Sequence, residues 1–470
     1  MKQLVFMAIT GFLGTAGSFA FSPLYGIAVY YLYAVLRPQF IWDWVEFAGV
    51  PIKDVSWSFY VAVPTLVATG LWRLGLFSPS RVAAPPWYGN PGYTRTHYLF
   101  LMFTAWISLT YLTAVNQTHA WPFFLEYIKI FVMFICATFV LRTVQDLWVI
   151  YLVVVGATIY IGYEINMFYL SSGWLILSSK GYGGLDNNGA ALMLAMAVPM
   201  CYFAWEAIRY WFRWGFLLVI PVLLHAILLS YSRGAMASLV VSAIFVWFRA
   251  RNKAFITTVY AGLIILVLIM AGKEVRERFL SIGEHDIDAS ANARKVTWAI
   301  AIKMTNEKPI FGWGIRNSNL YTFDYGADIP GRSIHSQYLQ TAADSGWVAL
   351  ALYLALLGSV FLGLRRTRRA LRPYKDPQTD RVRSLASGVE AGLVLFCFGS
   401  IFLSLEHFEM PYILILLAVQ LHAITRAVEA RLAPPQPGWP AGRGAPRPSP
   451  NPPAPPGNEA QGFHPAVATP

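Results

Sequence analysis

The sequence predicts an all-α polytopic membrane protein, and three observations lead to that prediction. Of 470 residues, 56% are hydrophobic and only 13% are charged, whereas charged residues approach a quarter of an ordinary soluble domain. Apolar runs such as 59–77 and 146–163 come near the roughly 20 residues that a helix needs to cross about 30 Å of hydrocarbon. Because these runs lack the two-residue alternation of a membrane β-barrel, they are predicted to be helices.

Two basic connectors orient these helices. Arg249, Arg251 and Lys253 form one connector, and eight cations between residues 365 and 383 form a stronger one. Loops rich in Lys and Arg remain in the cytoplasm, so both connectors are expected there. The net charge of +12 then reflects orientation rather than a nucleic-acid partner. Counting outward from the connectors predicts spans at 57–77, 98–115, 121–141, 145–168, 185–205, 215–231, 234–249, 255–272, 343–364, 388–404 and 411–428, with 37–56 outside.

The first 36 residues contain two short apolar segments, 3–20 and 22–36. The first resembles a signal peptide in its Lys2, its apolar stretch and its small residues. The turn after Phe21 leads straight into the second segment, which favours a retained helix or a shallow hairpin. About twelve transmembrane helices are therefore expected in total.

The spans and loops divide the chain into four predicted parts. Transmembrane helices fill residues 1–272 and 343–430, and one long, partly helical loop at 273–342 separates them. The segment 431–470 is rich in Pro and Gly and has no apolar period. Such a segment cannot bury a core, so a disordered cytoplasmic tail is expected.

The loop 273–342 lies on the side opposite the basic connectors, and loops of this length are usually functional or disordered. Its stretch ASANARKVTWAIAIKMTNEKP, residues 289–309, has the apolar spacing of a short helix that Pro309 closes. The next stretch, IFGWGIRNSNLY, contains two glycines that allow a tight turn. The loop is therefore predicted to be ordered. The apolar positions of the helix are Val296, Ile300 and Met304.

A histidine precedes the next span in the stretch GRSIHSQYLQTAADSG, residues 331–346. Ser333 is a plausible helix N-cap, which would place His335 in the first helical turn. The positive end of the helix dipole opposes an imidazolium there and favours the neutral ring, the form that a general base requires. A single loop histidine is more often structural or solvated, so His335 becomes a candidate only together with other groups.

An arginine lies between two apolar runs in LLSYSRGAMASL, residues 228–239. No acidic residue lies within one helical turn of this Arg233, and a guanidinium at the edge of the hydrocarbon normally has a partner. A distant side chain or a ligand is expected to fill that role. The alternative is that Arg233 extends to the lipid headgroups and serves only topology.

The other polar candidates on the same side also have structural interpretations. Asp186 and Asn188 follow a glycine-rich loop. For both residues, a role as a helix N-cap is favoured over ligand binding. The loop arginines could form an anion site or, alternatively, a solvated basic face that holds lipid phosphates. They are Arg294, Arg316 and Arg332. The last group is Glu406, His407 and Glu409. A tight turn next to Pro411 explains these residues at least as well as a metal site.

In this pattern the chain resembles the O-antigen ligase family of membrane glycosyltransferases, over roughly residues 98–428. The family is related to O-antigen polymerases and bacterial protein O-oligosaccharyltransferases. An Asp-Pro-Asn element is only partly kept, because Asn187 stands where proline is usual. Two further elements match. His335, Ser336 and Gly346 fit a pattern of His, then Asn, Ser or Gln, nine residues and Gly, and the pattern Arg-x-x-x-Trp before Pro-x-x-Gly-x-Gly is met by Arg294, Trp298, Pro309, Gly312 and Gly314. An Arg-Gly-x-x-x-Leu element at the start of a span resembles Arg233, Gly234 and, one place later than the strict spacing, Leu239.

The resemblance implies glycan transfer from undecaprenyl diphosphate to the lipid A core, at the periplasmic face of a Gram-negative inner membrane. Arg233 and Arg294 would bind the diphosphate, and His335 would be the general base. Arginines can supply the positive charge without a metal, although Glu284, His285, Asp286 and Asp288 leave a metal open. Direct attack would invert the anomeric centre, whereas a double displacement through a carboxylate nucleophile would retain it, and no residue is favoured for that nucleophile. Supporting roles are expected for Arg316, Arg332, Asp186 and Asn188.

Three alternative functions remain open at this stage. An O-antigen polymerase would use another lipid-linked glycan as acceptor, and a protein O-oligosaccharyltransferase would use a Ser or Thr hydroxyl. A transporter of lipid-linked glycans would need a polar path through the spans. Charges within the spans are few, so the transporter is the least favoured; they include Glu164, Lys129 and Glu390.

Overall fold

The computed structural model describes residues 2–42, 45–47, 50–51, 55–76, 92–270, 289–405 and 408–432. Within these ranges most of the regular structure is helical, and the two strands form a small antiparallel hairpin in which Glu46–Phe47 pairs with Val50–Pro51. The predicted all-α polytopic fold is confirmed. The helices up to Arg431 form one compact unit, and the predicted tail lies outside the described residues from 433 onward.

The helices are numbered here in chain order. The first part of the chain contains α1 (Lys2–Ala20), α2 (Pro23–Leu36), α3 (Pro38–Ile41), α4 (Trp57–Arg73), α5 (Arg95–Leu112), α6 (Gln117–Val140), α7 (Val144–Ser172) and α8 (Ile176–Lys180). The second part contains α9 (Asn187–Ala207), α10 (Trp214–Leu228), α11 (Arg233–Arg249), α12 (Lys253–Met270), α13 (Ala289–Glu307), α14 (Ser318–Tyr321), α15 (Gln337–Ala370), α16 (Pro377–Gly399) and α17 (Glu409–Leu432). Short 3-10 turns occupy Trp211–Arg213 and Phe323–Tyr325.

Every predicted span coincides with a helix, but the helices differ in length and hydropathy. Among the described residues, eight helices are long and apolar enough to cross a membrane. The protein is therefore a multi-pass membrane protein, and the total of about twelve spans stays a prediction. The eight are Lys2–Ala20, Gln117–Val140, Val144–Ser172, Asn187–Ala207, Trp211–Leu228, Gln337–Ala370, Pro377–Gly399 and Glu409–Glu429.

Helices α1 and α2 form the hairpin that the sequence favours. The hydroxyl of Ser22 accepts a hydrogen bond from the backbone of Leu24 and caps α2. A Cβ atom on Gly26 would lie only 1.9 Å from the hydroxyl oxygen of Thr65 in α4 and 2.3 Å from that of Ser18 in α1. Small residues therefore let these three helices approach closely, as in other membrane helix pairs.

The centre of the bundle is built from α9, α16 and α17, which are buried on nearly all sides. A helix that is apolar all round is typical of such a central position. Glycines allow close packing here, because a Cβ on Gly399 at the end of α16 would lie 2.3 Å from Leu192 in α9. The starts of α9 and α11 therefore lie beside the end of α16.

The two ends of the bundle differ in how their charges are arranged. At one end, the buried carboxylate of Glu390 in α16 pairs with Arg249, where α11 ends, and with Arg368, near the end of α15. Arg251 also bonds Asp380 at 3.2 Å. We call this the basic end. The opposite end, where α9, α11 and α15 begin, is called the site end.

We predict that the site end faces the periplasm, because the basic end carries the connector with eight cations. The exposed residues Asp324 and Gln378 offer matched positions for one introduced cysteine on either side of the membrane. In intact spheroplasts, an impermeant thiol reagent is expected to label Asp324→Cys and to spare Gln378→Cys until the cells are lysed. The parent protein measures background labelling of its native cysteines. Labelling of Gln378→Cys alone would reverse the orientation.

Candidate active site

His335 lies two residues before the start of α15, not inside the helix, and its backbone has a positive φ of 24°. Since α15 begins at Gln337, the prediction that Ser333 caps the helix and that His335 occupies its first turn is wrong. Tertiary contacts explain the difference. The Gln337 N–H donates to the carbonyl of Ser400 at 2.8 Å, and the indole of Trp298 donates to the carbonyl of His335 at 3.3 Å. These bonds hold the backbone in a conformation that helix formation would disrupt.

Four other predicted site residues lie close enough to His335 to act on its charge. Burial lowers the pKa of His335 below its ordinary value, and the positive charge of Arg294 lowers this pKa further. Asp186 raises the pKa, while Arg332 and Arg316 lower it by smaller amounts. The expected neutral imidazole therefore has a different cause: burial and the neighbouring arginines favour it, and not a position in the first helical turn.

The helix α13 carries two of these contacts. Arg294 and Trp298 lie one turn apart, so both side chains project from the same face of the helix toward His335. The predicted helix is confirmed, and Ile300 and Met304 are buried as expected. Val296 is exposed instead, because Thr297 and Ala301 complete the buried stripe.

The start of α11, where Arg233 is the first residue, packs against the start of α9. The hydroxyl of Ser232 donates to the side-chain oxygen of Asn188 at 2.8 Å, and the amide of Asn187 donates to the carbonyl of Ser230 at 3.1 Å. The glycine-rich loop and the arginine motif therefore pack together. Asp186 accepts a hydrogen bond from the backbone of Gly189 at 2.7 Å, which confirms its interpretation as an N-cap.

The turn after α16 joins these elements. The Phe402 ring lies 6.2 Å from the Trp298 ring between centroids, and a Cβ on Gly234 would meet the Cβ of Phe402 at 3.7 Å. The side-chain oxygen of Gln337 accepts a hydrogen bond from the Leu405 backbone at 2.7 Å. The neighbours of Arg233 and His335 therefore contact one common turn.

A buried carboxylate that the sequence analysis did not single out organises the glycine-containing loop. Asp344 is 2% exposed and accepts hydrogen bonds from the backbone N–H groups of Arg316 and Ser318, from the Ser318 hydroxyl and from the Gln340 amide. The predicted tight turn is present, since Gly312 has a φ of 65°. The signal in the sequence was an acidic residue just before a long apolar run, where a charge needs partners.

Several of the predicted residues lie outside the part of the chain that the structure describes. Glu406 and His407 lie outside the described residues, as do Glu284, His285, Asp286 and Asp288. Across the described ranges, no group of three His, Cys, Asp or Glu side chains could hold a metal ion. Arg332 also pairs with the exposed Asp328 at 3.1 Å.

The site thus combines a histidine of lowered pKa, several arginines and three helix N-termini at one end of the bundle. Residues 218–354 match the family model described as O-antigen ligase. No curated protein sequence gives a significant match to the chain. The matched segment contains Arg233, Arg294, His335 and Asp344, and over this segment the protein resembles the O-antigen ligase family.

Proposed function

We propose that this membrane glycosyl-transfer enzyme moves a glycan from undecaprenyl diphosphate to the lipid A core oligosaccharide at the periplasmic face of the inner membrane. The observation that carries the proposal is the placement of His335 among Arg294, Arg332 and Arg316, with its pKa lowered. A neutral base surrounded by cations suits a reaction in which an anionic leaving group forms while a hydroxyl loses its proton.

The transfer step follows from these groups. His335 takes the proton from an acceptor sugar hydroxyl as its oxygen bonds the anomeric carbon of the donor glycan. The bond from that carbon to the diphosphate oxygen breaks, and undecaprenyl diphosphate leaves with the electron pair. Attack from the face opposite the leaving group inverts the anomeric centre. The arginines stabilise the negative charge on the diphosphate, so the step needs no metal.

Arg233 and Arg294 are assigned to the diphosphate for two reasons. Both lie on elements that contact Phe402, Arg294 through its neighbour Trp298 and Arg233 through Gly234. The N-termini of α9, α11 and α15 also point toward this end, and helix dipoles favour an anion there. Arg316 and Arg332 supply further positive charge beside the base. Asp186 and Asn188 support the site by fixing the start of α9 against the arginine motif.

The main alternative is an enzyme that uses the same donor but a different acceptor. An O-antigen polymerase would transfer the glycan to another lipid-linked glycan, and a protein O-oligosaccharyltransferase would transfer it to a Ser or Thr hydroxyl. A transporter is disfavoured by the charges within the spans. Glu390 is paired with two arginines, Lys129 pairs with Glu126, and Glu164 accepts a hydrogen bond from the indole of Trp42. These charges form local structural clusters on separate helices rather than a polar path.

Purified protein incubated with a defined undecaprenyl diphosphate glycan tests the acceptor. Lipid A core, a second lipid-linked glycan and a pilin-like protein are supplied in separate reactions. We expect the glycan on lipid A core, detected by mass spectrometry. Product on either of the other acceptors would identify the corresponding alternative, and transport into vesicles without transfer would exclude the enzyme.

Arg233→Lys and Arg294→Lys are each expected to lower kcat/KM by about a hundredfold, because lysine keeps the charge but loses the planar fork that binds a diphosphate bidentately. The measurement is glycan transfer under steady-state conditions. Lys295→Ala is the matched control, since Lys295 is the exposed neighbour of Arg294 on α13. Full activity in both lysine variants would reduce these arginines to topology signals.

His335→Ala is expected to lower the transfer rate by about a hundred- to ten-thousandfold, because the acceptor hydroxyl then has no base. Binding of the undecaprenyl diphosphate donor should remain largely intact. Ser333→Ala, in the same segment before α15, is the control and should stay near the parent rate. A folded His335→Ala variant that binds donor and turns over within a few-fold of the parent would show that His335 is not the base.

The pH profile gives an independent prediction. Only the neutral imidazole accepts the proton, so activity is lost as the pH falls through the pKa of His335. Because burial and Arg294 lower this pKa from its ordinary 6.5, the acid limb of kcat/KM is expected to have its midpoint below pH 6.5. In His335→Ala the residual rate should lack this limb. A midpoint above pH 6.5 that survives in His335→Ala would assign the limb to another group.

A further inference from the structure

We infer that Asp344 is a positioning residue for the transfer reaction: its buried carboxylate sets the place of Arg316 beside His335. The inference rests on the proposed function, because it assigns Arg316 to the diphosphate side of the same site. Asp344 would not touch either substrate. It acts through the loop that it folds.

The carboxylate of Asp344 accepts hydrogen bonds from four donors. Its Oδ1 atom accepts from the Ser318 backbone at 3.1 Å and from the Ser318 hydroxyl at 2.5 Å. Its Oδ2 atom accepts from the Arg316 backbone at 2.9 Å and from the Gln340 amide at 2.9 Å. Four donors around one carboxylate define its orientation, and the carboxylate in turn defines the path of the loop.

Backbone hydrogen bonds hold the loop that follows α13 against α15, next to the break in that helix at Gly346. The Trp313 N–H donates to the carbonyl of Ala343 at 3.0 Å, and the Gly314 N–H donates to the carbonyl of Asp344 at 2.7 Å. A Cβ on Gly312 would lie 2.5 Å from the carbonyl oxygen of Asp344, so a side chain there has no room. The loop and the helix are therefore in direct backbone contact.

This seating fixes the direction of the Arg316 side chain. Arg316 has a φ of 58°, a left-handed conformation that an arginine adopts only when its surroundings impose it. The bond from its N–H to Asp344 is such a constraint. The guanidinium lies 5.6 Å from the centre of the Phe123 ring and acts electrostatically on His335. Losing the carboxylate would release the backbone that holds this cation in place.

The helix supplies the link to the base. His335 lies two residues before the start of α15, and Asp344 lies in the short segment of α15 before its break at Gly346, where φ is 83°. One rigid segment of about nine residues therefore determines the separation of the base and the cation. A displacement of about 1 Å in such a pair can cost about a hundredfold in rate.

A double-mutant cycle tests the inference. Asp344→Asn keeps the shape but places an amide N–H₂ where the carboxylate accepts two donors, and Arg316→Gln removes the cation. Each single variant is expected to lower kcat/KM for the undecaprenyl diphosphate glycan by about ten- to a hundredfold. The double variant should be no worse than the poorer single variant, because Asp344 acts through Arg316. Losses that multiply would overturn the inference.

Ser318→Ala provides a milder version of the same cycle if Asp344→Asn does not fold. It removes one donor to the carboxylate and leaves the charge in place. We expect a loss of a few-fold in the parent and no further loss in the Arg316→Gln background. An equal effect in the two backgrounds, including no effect in either, would overturn the inference.

A labelling experiment distinguishes failure of this inference from failure of the proposed function. It measures the rate at which a thiol reagent modifies a cysteine introduced by Arg316→Cys. Asp344→Asn is expected to change the labelling rate of Arg316→Cys by about tenfold or more, whether or not the protein transfers glycan. A changed rate in a protein without transfer activity would keep the positioning role and discard the reaction. An unchanged rate in an active protein would discard the positioning role.

Discussion

The buried carboxylate of Asp344 is the constraint on which the site end depends. A carboxylate at the border of the hydrocarbon is unfavourable unless every lone pair is used. Asp344 meets that condition only if the loop that follows α13 folds back onto α15, because three of its four donors come from Arg316 and Ser318. The same bonds turn a long connection between spans into an ordered structure. The place of the loop arginines follows from that folding.

The rest of the site depends on how three helix starts meet the turn after α16. Hydrogen bonds from Ser232 to Asn188 and from the backbone of Leu405 to Gln337 join elements that are far apart in the chain. At the other end, carboxylates such as Glu390 pair with the arginines. Charge thus stabilises the bundle at the basic end, whereas at the site end it surrounds a histidine.

The electrostatics of His335 suit the proposed chemistry in both stages of a turnover. Without donor, burial and Arg294 hold its pKa below the ordinary value, so the ring stays neutral and ready to accept a proton. A bound diphosphate would offset part of the arginine charge, which raises the pKa of the ring and makes it a stronger base. The same cations would then stabilise the leaving group.

The sequence by itself determined the all-α membrane fold, the helix α13, the glycine turn and the candidate residues, because apolar length and local spacing encode them. It could not determine where α15 begins, since hydrogen bonds from Gln337 to Ser400 and from Trp298 to His335 decide that against the local capping signal. It also did not reveal the role of Asp344, because the three donors from Arg316 and Ser318 become its neighbours only when the loop folds back. Contacts between residues distant in the chain are set by packing, which no local pattern records.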